Sequence, residues 1–230
     1  MRKLLAIVLC ILCLSPMAEA SEEKYVALTF DDGPSGRFTR RLLEGLEARD
    51  AKATFLLCGY RLEQYGGLAA EMASAGHELG VHGYSHRDWR TLSRRNLAEE
   101  IRETEELLPE GVRIRFLRPP GGFVTDGIRQ VAAARNLAIL SWSVDPHDWQ
   151  ITDTAAIETS VVDNVRDGDI ILLHDMSDSS VDAALAIVDD LTAAGFQFVT
   201  VSELAALRGE KITPGREYRA FPPEEIDIEK

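Results

Sequence analysis

An apolar run that ends in two carboxylates constrains the fold of this chain more than any other stretch. Residues 25–30 are apolar enough for a buried strand, and they are followed at once by Asp31, Asp32 and a Gly-Pro turn. Parallel-sheet folds place their chemistry at the carboxyl ends of such strands. Two ionised aspartates at one site repel each other, and a bound metal cation would relieve that repulsion. One aspartate could then ligate the metal while the other accepts a proton. For this stretch alone, an ordinary strand-ending turn is the alternative.

The length and charge of the chain narrow the classes of protein to which it can belong. At 230 residues it is long enough for one ordinary domain with its own core. Its net charge of −13 argues against nucleic-acid binding, which needs a basic face, and against electrostatic docking to anionic lipid. The sequence therefore predicts an acidic protein that binds no nucleic acid.

Residues 1–20 have the three parts of a secretory signal peptide. A basic start precedes an apolar stretch at 4–14, and an Ala-Glu-Ala cleavage site follows at 18–20. The apolar stretch is too short for a typical membrane span. We therefore predict cleavage after Ala20, a secreted, periplasmic or cell-envelope location, and no stable membrane insertion of the mature protein.

Strand-length apolar runs alternate with helical segments about seven times between residues 21 and 208. The runs are continuous, which is typical of parallel strands covered on both faces. An open doubly wound sheet would also fit this order, but seven units favour a somewhat irregular barrel with one strand fewer than the usual eight. Residues 21–208 are therefore predicted to form one domain, and the proline-containing, charged segment 209–230 an irregular tail.

Polar residues follow nearly every predicted strand, and in a barrel all of these strand ends meet on one face. His82 and His86 are four residues apart, a spacing that puts two imidazoles on one face of a helical turn. Together with Asp32 they make a set of two histidines and one carboxylate, which leaves open positions on a metal ion. A pair of surface histidines is the alternative for this motif alone.

Two more strand ends carry groups that could act on a substrate. His174 is suited to give a proton near neutral pH, and a buried structural histidine is its alternative. Arg118 could pair with Asp31 and keep that carboxylate ionised as a base. Two prolines stiffen the backbone after Arg118, so Gly121 could present its backbone N–H to a developing oxyanion.

Aromatic residues flank the end of the fifth predicted strand. Core packing is the alternative for both Trp142 and Trp149, and it suits Trp142 better. An exposed aromatic face beside a carboxylate cleft also suits the apolar faces of sugar rings. Of the remaining histidines, His77 is predicted to be structural, and His147 to lie on the rim of the site.

Taken together, these residues resemble the NodB-type polysaccharide deacetylases, the carbohydrate esterases of family four. The five motifs of that family occur in the family order between residues 29 and 175. The resemblance implies a deformed (β/α) barrel, one divalent metal ion, with zinc expected and cobalt as the alternative, and removal of acetyl groups from N-acetylated sugars in a polymer. It also implies the following roles: Asp31 as base; Asp32, His82 and His86 as metal ligands; Arg118 as partner of the base; Gly121 as oxyanion donor; Asp148 and Trp149 as the fourth-motif pair; Leu172 as a wall for the acetyl methyl; and His174 as the acid oriented by Asp148.

Two positions depart from the pattern of the family. Gly83 stands where Ser or Thr usually follows the first metal histidine, and Gly121 stands where an aromatic residue is usual. We expect these changes to loosen the cleft without disabling the chemistry. A de-N-formylase, an acetyl-xylan esterase or a catalytically silent sugar-binding domain are the alternatives, the last disfavoured because Asp31 and His174 are both present. The sequence leaves open the polymer (peptidoglycan, chitin oligomers, exopolysaccharide or xylan) and the oligomeric state.

Overall fold

Strands and helices alternate along residues 23–224, the part of the chain that this computed structural model describes. The strands are β1 (Lys24–Asp31), β2 (Ala53–Leu57), β3 (Glu78–Val81), β4 (Phe116–Leu117), β5 (Ala138–Leu140), β6 (Ile170–His174), β7 (Phe196–Phe198) and β8 (Glu217–Tyr218). The α-helices are α1 (Arg37–Glu47), α2 (Gly59–Ser74), α3 (Arg94–Glu105), α4 (Asp126–Ala134), α5 (Thr154–Val162), α6 (Asp178–Ala193) and α7 (Val201–Leu207). The predicted signal peptide at 1–20 lies outside the described residues, as does the end of the predicted tail at 225–230.

The strands form one parallel sheet that curls into an irregular barrel. Its order is β6-β1-β2-β3-β4-β5-β8. The first half of β1 pairs with β7 and the second half pairs with β6, so that Asp31 is in register with His174 on one side and with Leu56 on the other. A single parallel bridge between Val144 and Ile171 joins the segment after β5 to β6 and closes the circle. The predicted deformed (β/α) barrel is confirmed.

Apolar residues are buried on both faces of the strands, as the continuous apolar runs indicated. On the outer face, Leu28 and Phe30 of β1 pack with buried residues of α1 and α6. On the inner face, Ala27 belongs to a second cluster with Phe116 of β4 and with buried residues of α7. Apolar side chains of this inner cluster thus fill much of the interior of the barrel.

Side-chain caps set the starts of several helices. Ser93 accepts a hydrogen bond from the backbone N–H of Asn96 at the start of α3. Asp153 caps α5 in the same way, and Thr200 forms a reciprocal capping box with Glu203 in α7. None of the helices within the described residues is long and apolar enough to cross a membrane.

Part of the segment predicted to be an irregular tail belongs to the barrel. The two residues of β8 pair in parallel with β5, and this prediction was therefore wrong for them. Tyr218 and Phe221 are buried, and their stacked rings have centroids 5.2 Å apart. Their burial against the inner cluster explains why this segment is ordered. A two-residue strand between prolines and charges has no periodicity by which the sequence could have revealed it.

Candidate active site

The carboxyl ends of the strands surround one cavity at one end of the barrel. The residues that line it are Asp31, Asp32, His82, His86, Gly121, Gly122, Trp142, Asp145, His147, Trp149, Leu172 and His174. Among the site residues predicted from the sequence, Arg118 and Asp148 lie behind this lining, and each contacts a residue that faces the cavity. The barrel therefore brings the predicted residues together, either in the lining or directly behind it.

Arg118 is completely buried, and its guanidinium donates all of its hydrogen bonds to groups inside the barrel. Its Nη1 donates to Asp31 Oδ1 over 2.6 Å and to Thr29 Oγ1 over 2.9 Å. Its Nε and Nη2 donate to the backbone carbonyls of Leu140 and Ser141 over 3.1 and 2.9 Å. One oxygen of the Asp31 carboxylate is thus fixed by the guanidinium, which leaves Oδ2 for other partners.

We expect Arg118→Met to lower the free energy of unfolding by about 3–5 kcal/mol, because it leaves the buried Asp31 carboxylate without its cation. Urea unfolding monitored by circular dichroism measures this. Arg40→Met is the matched control, since it removes an ion pair with Glu71 in which both side chains are exposed. Such a pair contributes about 1 kcal/mol or less. Similar losses for the two variants would show that the buried pair does not hold the site together.

Asp32, His82 and His86 form a cluster whose geometry fits a divalent cation. One potential ligand atom from each residue lies within 4.8 Å of the others. Asp32 Oδ1 lies 3.1 Å from His86 Nε2 and 3.4 Å from His82 Nε2, yet within residues 23–224 this buried oxygen has no partner in hydrogen-bonding geometry. An oxygen facing two imidazole nitrogens in this way is suited to share a cation with them, and the donor set is one that zinc and related metals accept.

Hydrogen bonding and charge prepare these three groups to be ligands. His82 Nδ1 lies 2.8 Å from the carbonyl oxygen of Arg118, which assigns the proton to Nδ1 and leaves the Nε2 lone pair facing Asp32. Burial lowers the pKa of His82 and so favours the neutral ring that a metal needs. Burial alone would raise the pKa of Asp32, but its contacts with His86 and His82 outweigh burial and hold that pKa far below its ordinary value. The Asp32 contact raises the pKa of His86.

His82 and His86 lie on a loop. The prediction that a helical turn brings their imidazoles together was therefore wrong. The backbone has positive φ at Gly83 (85°) and His86 (55°), as it does at Asp32 (70°). Glu100 of α3 holds the middle of this loop by accepting hydrogen bonds from the backbone N–H and the hydroxyl of Ser85, over 2.8 and 2.5 Å. Uncommon backbone conformations at two candidate ligands are the kind of strain that surrounding structure maintains at functional sites.

His174 and Asp148 form a hydrogen-bonded pair at the end of β6. The two Asp148 carboxylate oxygens accept from the ring Nδ1 of His174 over 2.7 Å and from its backbone N–H over 2.8 Å. Burial alone would lower the pKa of His174, but the hydrogen bond to Asp148 and the charges of Asp148, Asp31 and Asp32 outweigh it and raise that pKa to about 9. His174 is thus held protonated, with Nε2 as the nitrogen free to serve the cavity.

The walls of the cavity are apolar and aromatic. Leu172 is buried at the base, and Trp149 is 62% exposed at the rim. Gly121 lines the cavity with φ of 72°, where a larger residue would be strained. Trp142 also lines it and packs against the inner cluster, the alternative that suited Trp142 better than Trp149. The Trp142 indole lies against Gly122, where an added Cβ atom would be 2.4 Å from it. A contact of this kind leaves no pattern in the sequence.

The rim contains groups that the sequence did not single out, and two histidines lie where it placed them. Asp145 lines the cavity, lies 3.3 Å from the His147 ring and also accepts from the His147 backbone N–H. His147 is exposed at the rim, as predicted. His77 is buried away from the cavity, where its Nδ1 accepts from the backbone N–H of Ala53 and its ring meets Phe55 edge-on, in agreement with a structural role.

Comparisons with known proteins agree with this architecture. The family model described as polysaccharide deacetylase matches residues 18–140. The chain is 37% identical over 190 residues to the peptidoglycan-N-acetylglucosamine deacetylase of Bacillus cereus, covering 80% of this chain and 89% of the relative. It is 34% identical over 191 residues to the peptidoglycan-N-acetylmuramic acid deacetylase PdaC of Bacillus subtilis, covering 82% of this chain but 40% of that longer relative.

A solved structure has the same fold. The family 4 acetyl xylan esterase from Clostridium thermocellum, solved in complex with a cobalt ion, superposes with a TM-score of 0.81 at 32% identity. The alignment covers 86% of this chain and 100% of the solved chain. The chain therefore belongs to the polysaccharide deacetylase family, the carbohydrate esterases of family four.

Proposed function

We propose that this protein is an exported, metal-dependent deacetylase that hydrolyses the N-acetyl groups of amino sugars in a polysaccharide and releases acetate. The curated relatives named above act on peptidoglycan, and this supports a peptidoglycan or chitin-like polymer as substrate. Export is proposed from the signal-peptide pattern of residues 1–20. Zinc is the proposed metal, with cobalt as the alternative.

One observation carries the proposal: a candidate base, a candidate acid and a candidate metal site face the same cavity. Asp31 supplies a carboxylate oriented by Arg118, and His174 supplies an imidazole oriented by Asp148. The candidate metal site is the set of two histidines and one aspartate described above. Amide hydrolysis needs a base for water, an acid for the leaving amine and a positive group near the carbonyl oxygen, and these groups match those three needs.

The chain's own residues account for the proton transfers. Asp31 accepts a proton from the attacking water through Oδ2, because Oδ1 is engaged by Arg118. His174 donates the proton of Nε2 to the amide nitrogen as the C–N bond breaks, so that acetate and a free amine leave. Leu172 and Trp142 provide an apolar wall for the acetyl methyl group. A divalent ion held by Asp32, His82 and His86 would act as a Lewis acid toward the carbonyl and would make water more acidic.

Acetate release from a panel of polymers tests this proposal. The purified mature protein is incubated with peptidoglycan, chitin oligomers, an N-acetylated exopolysaccharide and acetylated xylan, and acetate is measured enzymatically. The same polymers with their acetyl groups removed chemically serve as matched controls. Release from an amino-sugar polymer supports the proposal, whereas no release from any of them by metal-loaded protein contradicts it.

Ester cleavage is a second candidate, because a family 4 acetyl xylan esterase shares this fold. Amide and ester substrates differ in how much they need the proton from His174. An alkoxide leaves more readily than an amine anion, so the proton from His174 matters more for amide substrates than for esters. A kcat/KM that is higher on acetylated xylan than on every amino-sugar polymer would favour the esterase.

We expect Asp148→Asn to move the basic limb of the pH–rate profile to lower pH. His174 must carry its proton to act as the acid, so activity falls as pH rises through its pKa. Removing the Asp148 charge lowers that pKa, because the partner that favours the charged imidazole is lost. A divalent ion held by Asp32, His82 and His86 would offset the Asp31 and Asp32 charges, so we expect the wild-type limb to lie below the pKa of about 9 that His174 has without the ion.

The profile of kcat/KM between about pH 5 and 10 measures this shift. Asp167→Asn is the control, since it breaks a contact with Arg208 in a part of the barrel that does not line the cavity. An equal loss of rate at every pH, with the basic limb unmoved, would show that Asp148 orients the ring without setting its protonation.

A further inference from the structure

Phe123 is a large aromatic residue left exposed beside the cavity. It follows the Gly121-Gly122 pair that lines the cavity, and 50% of its surface is exposed. A Cβ atom added to Gly121 would lie 3.4 Å from two ring carbons of Phe123, so the ring borders the side-chain space that Gly121 leaves empty. The ring therefore continues the apolar wall of the cavity outward onto its rim.

The ring is held in place by a neighbouring loop. The Arg90 guanidinium carbon lies 3.6 Å from the centroid of the Phe123 ring, which is a close stacking contact. Arg90 is itself fixed by Asp88, which accepts from Nε over 2.9 Å and from Nη2 over 2.7 Å. One face of the ring is thus covered by a braced cation. A braced side chain loses little conformational entropy when a ligand binds to it.

We propose that Phe123, braced by Arg90, is the stacking platform of an outer subsite that binds the sugar next to the one being deacetylated. The ligand class is a pyranose of an N-acetylated amino-sugar chain, whose axial C–H face packs on an aromatic ring. Half of the residue is exposed while Arg90 covers one face, so an open face remains for such a ring. This inference rests on the proposed function, since it assigns an additional contact to the same polymer.

The platform would act through substrate position. A sugar that stacks on Phe123 fixes the chain and so holds the neighbouring acetyl group at Asp31 and His174, which is how remote binding energy assists a reaction. Trp149, exposed on another part of the rim, is carried by the loop after β5, whereas Phe123 follows β4. The two rings therefore mark separate positions along the rim.

The test compares kcat/KM on N-acetylglucosamine oligomers of increasing length for wild type, Phe123→Ala, Phe123→Leu and Phe123→Tyr. We expect Phe123→Ala to lose about tenfold on the longer oligomers and clearly less on the disaccharide, from the size of one lost aromatic contact. Phe123→Leu should lose nearly as much, because it keeps apolar bulk without a flat face, and Phe123→Tyr should retain the activity. Leu207→Ala, an equally exposed apolar truncation on α7, is the control that should match wild type.

The outcomes separate this inference from the function on which it rests. If wild type releases acetate from none of the amino-sugar polymers, these oligomers included, the proposed function fails. If wild type is active but Phe123→Ala loses nothing, or loses the same factor at every length, the platform is refuted. Full activity of Phe123→Leu on long oligomers would also refute stacking. Thermal unfolding of each variant, compared with wild type, shows whether a loss of rate reflects damage to the fold.

Discussion

We expect Asp31→Asn to lower kcat by about 10²–10⁴-fold, the range that a general base contributes, and to leave metal binding unchanged. The amide matches the shape of the carboxylate but cannot accept the proton of water. Asp31 Oδ2 lies 3.7 Å from His82 Nε2, farther than either of the two contacts that the histidines make with Asp32. Losing its charge therefore leaves the ligand set intact.

Two measurements make this result specific. Metal content per protein should equal that of wild type, and the far-ultraviolet spectrum should be unchanged, because Arg118 keeps its contacts with Thr29, Leu140 and Ser141. Asp167→Asn, which also removes the carboxylate partner of an arginine, should keep full activity. Turnover of Asp31→Asn near that of wild type, with full metal content, would exclude Asp31 as the base.

The sequence predicts the barrel well because its strands are buried on both faces. The apolar run at 25–30, predicted as a buried strand, lies within β1 and differs from it by one residue at each end. Strand β5 has only three residues, although apolar residues continue in the sequence to Val144, since the chain turns away after Leu140 and returns to the barrel only at the Val144 bridge. Where ladder pairing is decided by a distant strand, local hydrophobicity cannot set the ends of an element.

Helix α2 shows another limit of prediction from local pattern. It begins at Gly59, and it is interrupted at Tyr65. Its first turn follows directly from β2, and the backbone N–H of Gly59 donates to the carbonyl of Gly83. Two glycines at 66 and 67 lower the local preference for helix, so the first half depends on tertiary contacts that the sequence does not reveal.

The candidate site was easier to predict than the details of its loops. Strand ends in a parallel barrel converge whatever the loops do, so the pairing of Asp31 with Arg118 follows from topology and residue type. The pairing of His174 with Asp148 was implied by the resemblance to the family. The contact between Phe123 and Arg90 joins two loops, and loop conformation depends on positive φ values at positions such as Gly121 and Gly122. No periodicity encodes such contacts.

Removing the metal should abolish activity, by about three orders of magnitude or more, because Lewis-acid assistance contributes several kcal/mol to such reactions. Exhaustive chelation followed by dialysis gives the metal-free protein, and zinc or cobalt should then restore the rate. Added metal should also raise the melting temperature, since an ion that binds only the folded chain stabilises it. This second readout does not depend on turnover.

His82→Ala tests which residues hold the ion. It removes the most buried imidazole of the set, whose tautomer is assigned by the Arg118 carbonyl, so we expect metal content to fall to background and activity to fall with it. His147→Ala removes another imidazole that lines the same cavity and should keep the metal, because His147 faces Asp145 and lies outside the ligand cluster. Full activity after chelation, with metal content confirmed near zero, would refute the metal site. Loss of metal from His147→Ala but not from His82→Ala would place the ion elsewhere on the rim.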